Sequence, residues 1–429
     1  MGSSFKLKHF RWVICALLFI ATTVNYIDRQ VISILKPRIL SWPGWSELHF
    51  GQVVAYFQLA YAIMMIFAGA IIDRIGIRKG FAIAIVWWSL AAMGHALSGS
   101  VLAFTIWRIL LGLGEAANFP ASIKAVAEWF PKRERALATG IFNSGTNIGA
   151  VITPFAVAWI LETLGSWRWA FILTGSLGFI WLILWFLIYK SPEEHPWVTQ
   201  EELKYIKSEP EEKSQPVSVS VMLKSWVKLL RFRQTWAFII GKAFTDPIWW
   251  VWLFWVPGFL YKRFGVDIKQ MGLPILIIYT MASIGSIVAG WLPAVFIQSG
   301  WSLNLARKIS MLICAVCVVP VVFAAFTTHL WVGVILIGLA CGAHQGWSAN
   351  LFTLTSDMFP KKTVGSVVGI GGCAGGLGGY FISNIVGLIL NKNPNNYLPI
   401  FITAGSIYLF TLLIIQILVP KLEPARLDT

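Results

Sequence analysis

Seven ionisable residues sit inside long apolar runs of this 429-residue chain: Asp28, Arg29, Arg108, Glu115, Lys124, Lys242 and Asp246. A charge inside a bilayer is costly, so such residues face a water-filled cavity or a partner. Arg108 and Glu115 are seven positions apart. On one helix they share a face, about 10 Å apart along the axis at 1.5 Å per residue, and Gly112 and Gly114 leave room beside them. An arginine fork binds a carboxylate through two parallel hydrogen bonds, where a lysine offers only a point charge. Arg29 and Arg108 in one cavity therefore suit a solute that carries a carboxylate. Glu115 is the first candidate proton carrier, because an anion that engages Arg108 weakens the hold of that arginine on Glu115. Asp28, beside Arg29, is the second. A plainer reading is open for Asp28 with Arg29, and for Lys242 with Asp246 at i, i+4: each pair could simply neutralise itself. Lys124, near the end of its run, is expected to snorkel.

Other chemistries find no support. No nucleophile–base pair or metal-ligand cluster emerges, so no enzyme activity, metal or cofactor is expected. Cys314-Ala-Val-Cys317 has redox spacing but lies in apolar sequence without a thioredoxin context. The glycine run from Gly369 to Gly379 mimics dinucleotide spacing, yet no strand precedes it, and it reads as close helix packing. There is no P-loop, so ATP does not drive this protein.

The elements that must hold these charges are membrane helices. Hydrophobic residues make up 57% of the chain and charged residues 12%, against about a quarter charged in soluble domains. At roughly 20 residues per span, the expected spans are 10–35, 51–72, 81–97, 102–130, 137–161, 169–189, 236–261, 271–297, 309–326, 331–358, 365–390 and 398–419. Of the 34 Lys and Arg, 23 then fall on one side and 7 on the other. The positive-inside rule makes the basic side, with both termini, cytoplasmic. The net charge of +15 is thus a topology signal, and no nucleic-acid partner is expected. No loop carries an Asn-x-Ser/Thr sequon, which fits a bacterial inner membrane.

The chain repeats itself. Glu128-Trp-Phe130-Pro131-Lys132-Arg133 recurs as Asp357-Met-Phe359-Pro360-Lys361-Lys362, a shift of 229, which also places Gly140 on Gly369 and Gly149 on Gly378. Six spans per copy make the repeats parallel, and two such bundles can rock about a site between them. The expected domains are an N-terminal six-helix bundle (1–190), a cytoplasmic central loop (191–233) and a C-terminal six-helix bundle (234–429). Within the loop, Thr199-Gln-Glu-Glu202 is a capping box, residues 208–220 read as disordered, and residues 222–230 read as a helix lying on the inner leaflet.

The loop after the second span, Gly69-Ala-Ile-Ile-Asp73-Arg74-Ile-Gly76-Ile-Arg78-Lys79, resembles the G-x-x-x-D-R-x-G-x-R/K-R/K signature of the major facilitator superfamily at every defined position. In that family the loop stabilises a gate, with Asp73 capping or pairing across the half-bundle interface; Gly290 to Lys308 is only a degenerate echo. Asn25-Tyr26-Ile-Asp28-Arg29, Arg108 to Pro120, Ala127 to Arg135, Gly241 to Trp250 and Ala343-His344-Gln345 are similar to the anion:cation symporter family, its hexuronate transporters above all. The resemblance covers all twelve spans. It implies the major facilitator fold and proton-coupled symport of a hexuronate such as glucuronate or galacturonate into the cytoplasm, by a monomer in the lipid bilayer. Another organic anion (an aldonate, a dicarboxylate or an aromatic acid) is the alternative cargo, and a non-transporting anion sensor the alternative class. For a sugar acid, Tyr26, Tyr61, Trp249, Trp250 and Trp347 could stack on the ring. Gln58, Asn143, Thr146, Asn147, Gln345, Ser348 and Asn350 could bond hydroxyls. His344 coincides with Glu115 under the 229 shift and could face the cavity; a structural, hydrogen-bonded histidine is the other reading.

Overall fold

A computed structural model describes residues 9–208, 226–359 and 361–425. The described residues are helical, without a strand. In the first half run α1 (Arg11–Ile34), α2 (Lys36–Ile39), α3 (Glu47–Ile75), α4 (Ile77–Gly94), α5 (Val101–Glu115), α6 (Asn118–Trp129), α7 (Lys132–Leu164), α8 (Trp167–Ile188) and the short α9 (Gln200–Ile206). The second half holds α10 (Arg233–Phe264), α11 (Gly272–Gln298), α12 (Leu303–Val318), α13 (Leu330–Met358), α14 (Lys361–Lys392) and α15 (Leu398–Leu418). Eleven helical stretches among the described residues are long and apolar enough to cross a membrane. Helix α10 is not one of them, although it is 32 residues long and packs against α1, α13, α14 and α15; Lys242, Asp246, Lys262 and Arg263 lower its hydropathy.

The 229-residue shift extends to helix boundaries. It carries Val101–Trp129, the α5–α6 stretch, onto Leu330–Met358, and α7 onto α14 to within a residue. The glycine run behaves as expected. A Cβ at Gly376 would lie 2.6 Å from the Ala62 side chain, and one at Gly378 2.3 Å from the Ala243 carbonyl. Helix α14 thereby packs closely on both α3 and α10.

Three expectations need correction. The 102–130 stretch is not one helix: α5 stops at Glu115 and α6 starts at Asn118. Pro120 has no N–H to give the Ala116 carbonyl, and its ring crowds that carbonyl. Second, the capping box forms only one of its bonds. Thr199 Oγ1 accepts from the Glu202 N–H at 3.1 Å, but the Glu202 carboxylate accepts from the N–H groups of Phe10 (2.9 Å) and Arg11 (3.1 Å), capping α1. Third, the end charge Lys124 is not unpartnered: its ammonium reaches the loop, where it pairs with Asp73 and donates to the Gly69 carbonyl at 2.5 Å. The expected disorder over 209–220 and residues 222–225 of the expected helix at 222–230 lie outside the described residues, as does Pro360 of the repeated loop; residues 226–229 are helical.

Contacts between the halves gather at the face opposite the chain ends. There Glu47 holds Lys36 at 2.9 Å and Lys262, from the other half, at 2.5 Å. The Lys36 stem lies against Gly258, where a Cβ would sit 3.0 Å from Lys36 Cδ. Burial pushes the Lys36 ammonium down to about 8, against the opposing pull of Glu47. Close by, a Cβ at Gly51 would lie 2.6 Å from the Ser383 carbonyl, and Phe50 meets Trp255 edge-on at 5.8 Å. Toward the face carrying the chain ends, Gly69, Gly140 and Gly365 have open space around them.

Candidate functional site

A cavity of about 540 Å³ lies between the halves, a usual size for a small-molecule site. Helices α1, α3, α6 and α7 line one side and α10, α13 and α14 the other. Of the residues expected to bind substrate, Tyr26, Arg29, Tyr61, Thr146, Trp249, Trp250, His344 and Gln345 line it, joined by Asn143, Ser348, Lys242 and Asp246.

Arg29 is the charged centre of the first-half wall. Its guanidinium stands within 4.6 Å of the Tyr26 ring, 4.9 Å of Tyr61, 5.2 Å of Phe57 and 5.3 Å of Trp250 across the interface. Such faces attract a cation and fix its plane. Beneath it, Glu115 Oε2 accepts from Nε at 2.8 Å and lies 2.7 Å from Nη2. Asn25 Oδ1 accepts from Nη2 at 3.3 Å, one turn earlier on α1. Both members of the ion pair are buried, and the other Glu115 oxygen has no hydrogen-bond partner.

The placement of Arg108 differs from expectation. It does not line the cavity but lies buried behind it, donating to the Arg29 carbonyl at 3.1 Å, with its charge over Phe57 at 4.8 Å. The partner of Glu115 is thus Arg29 from α1, not Arg108 from its own helix. Asp28 is buried beside them without an ion pair. Trp347 is buried edge-on against Tyr408, and Asn350 donates to the Ala289 and Gly346 carbonyls. Gln58 is buried. Asn147 donates across the interface to Ser283 Oγ at 3.0 Å. None of these lines the cavity.

On the second-half wall, His344 stacks on Trp249 with centroids 5.3 Å apart and has Nδ1 2.6 Å from the Tyr408 hydroxyl. Both readings of this histidine hold together: it faces the cavity and it is anchored. Lys242 and Asp246 pair at 2.6 Å. Phe119, Ile123, Met65, Phe352 and Val368, with Thr139, Gly372 and Gly376, complete the lining. An apolar residue in an apolar run gives no sequence signal of facing a cavity, and the same holds for Phe57 between the two arginines.

In the loop motif, Asp73 pairs with Lys124 of its own half and not across the interface. Gly76 has φ +88°, which an L side chain rarely adopts. Arg78 donates to the Phe186 carbonyl at 2.7 Å; Arg74 and Lys79 are exposed. In the second half, Arg307 pairs with Asp357 at 2.9 Å and Lys308 donates to the Val419 and Pro420 carbonyls.

A model of the Major Facilitator Superfamily matches residues 18–383. The hexuronate transporter of Escherichia coli (strain K12) is 31% identical over 414 residues, 95% of each chain. A probable galactarate/D-glucarate transporter of the same strain is 28% identical over 397 residues, 90% of this chain and 89% of that one. Among solved structures, the xylose transporter of E. coli in an inward open conformation superposes with a TM-score of 0.71 at 18% identity, covering 96% of both chains.

Proposed function

The chain belongs to the major facilitator superfamily, and on that premise we propose that it is a proton-coupled symporter that carries a hexuronate, glucuronate or galacturonate, into the cytoplasm of a bacterium. It is a transporter and not an enzyme. Helix α10 is the twelfth span, both termini are cytoplasmic, and the bundles of residues 1–190 and 234–429 rock about the cavity as the 191–233 loop tethers them. The protein acts as a monomer, with no cofactor. The state described has its outer side closed by the Glu47 cluster and its cavity open inward.

One observation carries the reading: Arg29, the cationic centre of the cavity wall, is held by a buried glutamate. A substrate carboxylate reaching Arg29 competes with Glu115 for the same guanidinium. A buried carboxylate that loses its partner is strongly disfavoured unless it takes up a proton. Anion binding at Arg29 and protonation of Glu115 therefore favour each other, and that reciprocity is the coupling a symporter needs. Arg108 acts through Arg29, whose backbone it holds. Trp249, Trp250 and Tyr26 present ring faces to the sugar, while Asn143, Thr146, Gln345 and Ser348 supply hydroxyl partners. Asp73 and the rest of its loop act in gating.

The test is uptake into proteoliposomes under an imposed inward proton gradient. Labelled glucuronate and galacturonate should accumulate, and accumulation should vanish when the gradient is collapsed. Glucose lacks the group the arginine needs and should not compete. Equal inhibition by glucose and glucuronate would overturn the anion site.

A further inference from the structure

The Lys242–Asp246 pair plays no part in the coupling just described, yet it lines the same cavity. Lys242, Asp246 and Trp250 are spaced four apart on α10 and stack on one face, a turn from one to the next. Trp250 also closes the cage around Arg29 at 5.3 Å. Asp246 therefore stands one turn before Trp250 on the cavity wall that faces Arg29. A sugar acid whose carboxylate rests on Arg29 extends across this cavity toward Asp246.

That end finds an occupied lysine. Lys242 Nζ is 2.6 Å from Asp246 Oδ2 and 4.5 Å from the Phe352 ring centroid, so its charge is already engaged twice. Asp246 keeps 21% of its side-chain surface exposed, against 8% for Lys242. The group turned toward the ligand is therefore the anion. Gly371 and Gly375 make the room: a Cβ at either would come within about 3 Å of Lys242 or Asp246.

We propose that Asp246, by occupying Lys242 and presenting its own carboxylate, is the specificity-determining residue that admits sugar acids with one carboxylate and rejects those with two. Its free oxygen accepts a hydroxyl from the non-acidic end of a hexuronate or aldonate. The second carboxylate of an aldarate meets a like charge at the same place and cannot reach the lysine. The inference rests on the sugar-acid reading above, and it separates the two cargo classes named for the relatives.

The experiment is displacement of labelled glucuronate from the purified full-length protein by unlabelled glucarate and by unlabelled galacturonate. Wild-type protein should release the label to galacturonate and resist glucarate. In Asp246→Asn, Lys242 is free to take the second carboxylate, and the glucarate-to-glucuronate affinity ratio should rise at least about 10-fold, as a new charge-assisted bond would give. Asp246→Ser is the second variant, should the first not fold. Adding Lys242→Gln to either should erase the gain, which a merely structural pair would not do. The filter is overturned if wild type binds glucarate as well as glucuronate, if neither Asp246 variant moves the ratio, or if the gain survives loss of Lys242. If wild type binds no sugar acid at all, the sugar-acid reading fails first and takes the filter with it.

Discussion

Helices α5–α6 and the single helix α13 occupy equivalent places in the two halves, yet only the first is broken. The shift of 229 puts Pro120 on Ala349, Arg108 on Ile337, Glu115 on His344 and Arg29 on Gly258. With alanine in place of proline, α13 keeps its backbone ladder through the same depth. With proline, α5 ends at Glu115, and that carboxylate sits at a helix terminus beneath Arg29. The two copies of the scaffold differ in side-chain chemistry: one holds the buried Arg29–Glu115 pair, the other the His344–Trp249 stack and the Lys242–Asp246 pair. Broken helices at mid-membrane are tolerated where they line a cavity.

The strongest way to break this division is at its two equivalent positions. Glu115→Gln should abolish accumulation driven by a proton gradient while leaving part of the exchange of internal for external substrate. His344→Gln should lower affinity and leave the dependence on the gradient intact. Loss of gradient coupling in the histidine variant, measured in the same proteoliposomes, would mean that both walls carry protons.

Swapping the helix break comes next. Ala349→Pro should cost about 3 kcal/mol of stability, the usual effect of proline inside a helix, read as a drop in thermal midpoint. Pro120→Ala should leave or raise that midpoint and slow transport, because a continuous α5–α6 turns Glu115 away from Arg29. If the two variants behave alike, the break is incidental to coupling.

Arg29 and Arg108 sharpen the comparison within one wall. Arg29→Lys loses the guanidinium plane stacked among four rings and the two contacts to Glu115, so substrate affinity should fall by about 2 kcal/mol, some 30-fold. Arg108→Lys acts at second hand and should cost less. Titration of both variants with labelled glucuronate checks the order, and a reversed order would return Arg108 to the cavity.

The smallest effect concerns the Glu47 cluster. Closed, Lys36 titrates at about 8; opened to water, it should regain the usual value near 10.4. The open form then holds more protons between those limits, so raising the pH through that window should favour the closed form, with no effect below about 8. Spin labels at positions 164 and 273 would report this as a shift toward the shorter distance, and Glu47→Gln should alter that response.

Much of this was legible beforehand. The spans showed as apolar runs, the repeat as a shared loop, and the cavity as charges that a bilayer would otherwise reject. Helix α10 shows in the sequence as an apolar run like the others, although its charges keep it out of the eleven stretches apolar enough to cross a membrane. What the sequence concealed was partnership. Spacing aligned Glu115 with Arg108, and both lie on α5, but Arg29 on a different element takes the carboxylate. Lys124 read as a snorkelling end charge because its partner, Asp73, is 51 residues away. Trp347 and Trp250 look alike in sequence; only the packing of three helices decides which one meets the cavity.

Glu202 caps α1, and Tyr205 donates to Glu134 at 2.7 Å at the start of α7, while Arg11 bridges both carboxylates. Every partner in that knot precedes position 206. A chain made from its N-terminus, whose earlier units fold first, can therefore tie off its first six long helical stretches before α10 is translated. The second copy then assembles against a finished neighbour, and α10, with Lys242 and Asp246 along its length, meets a surface already shaped to receive it.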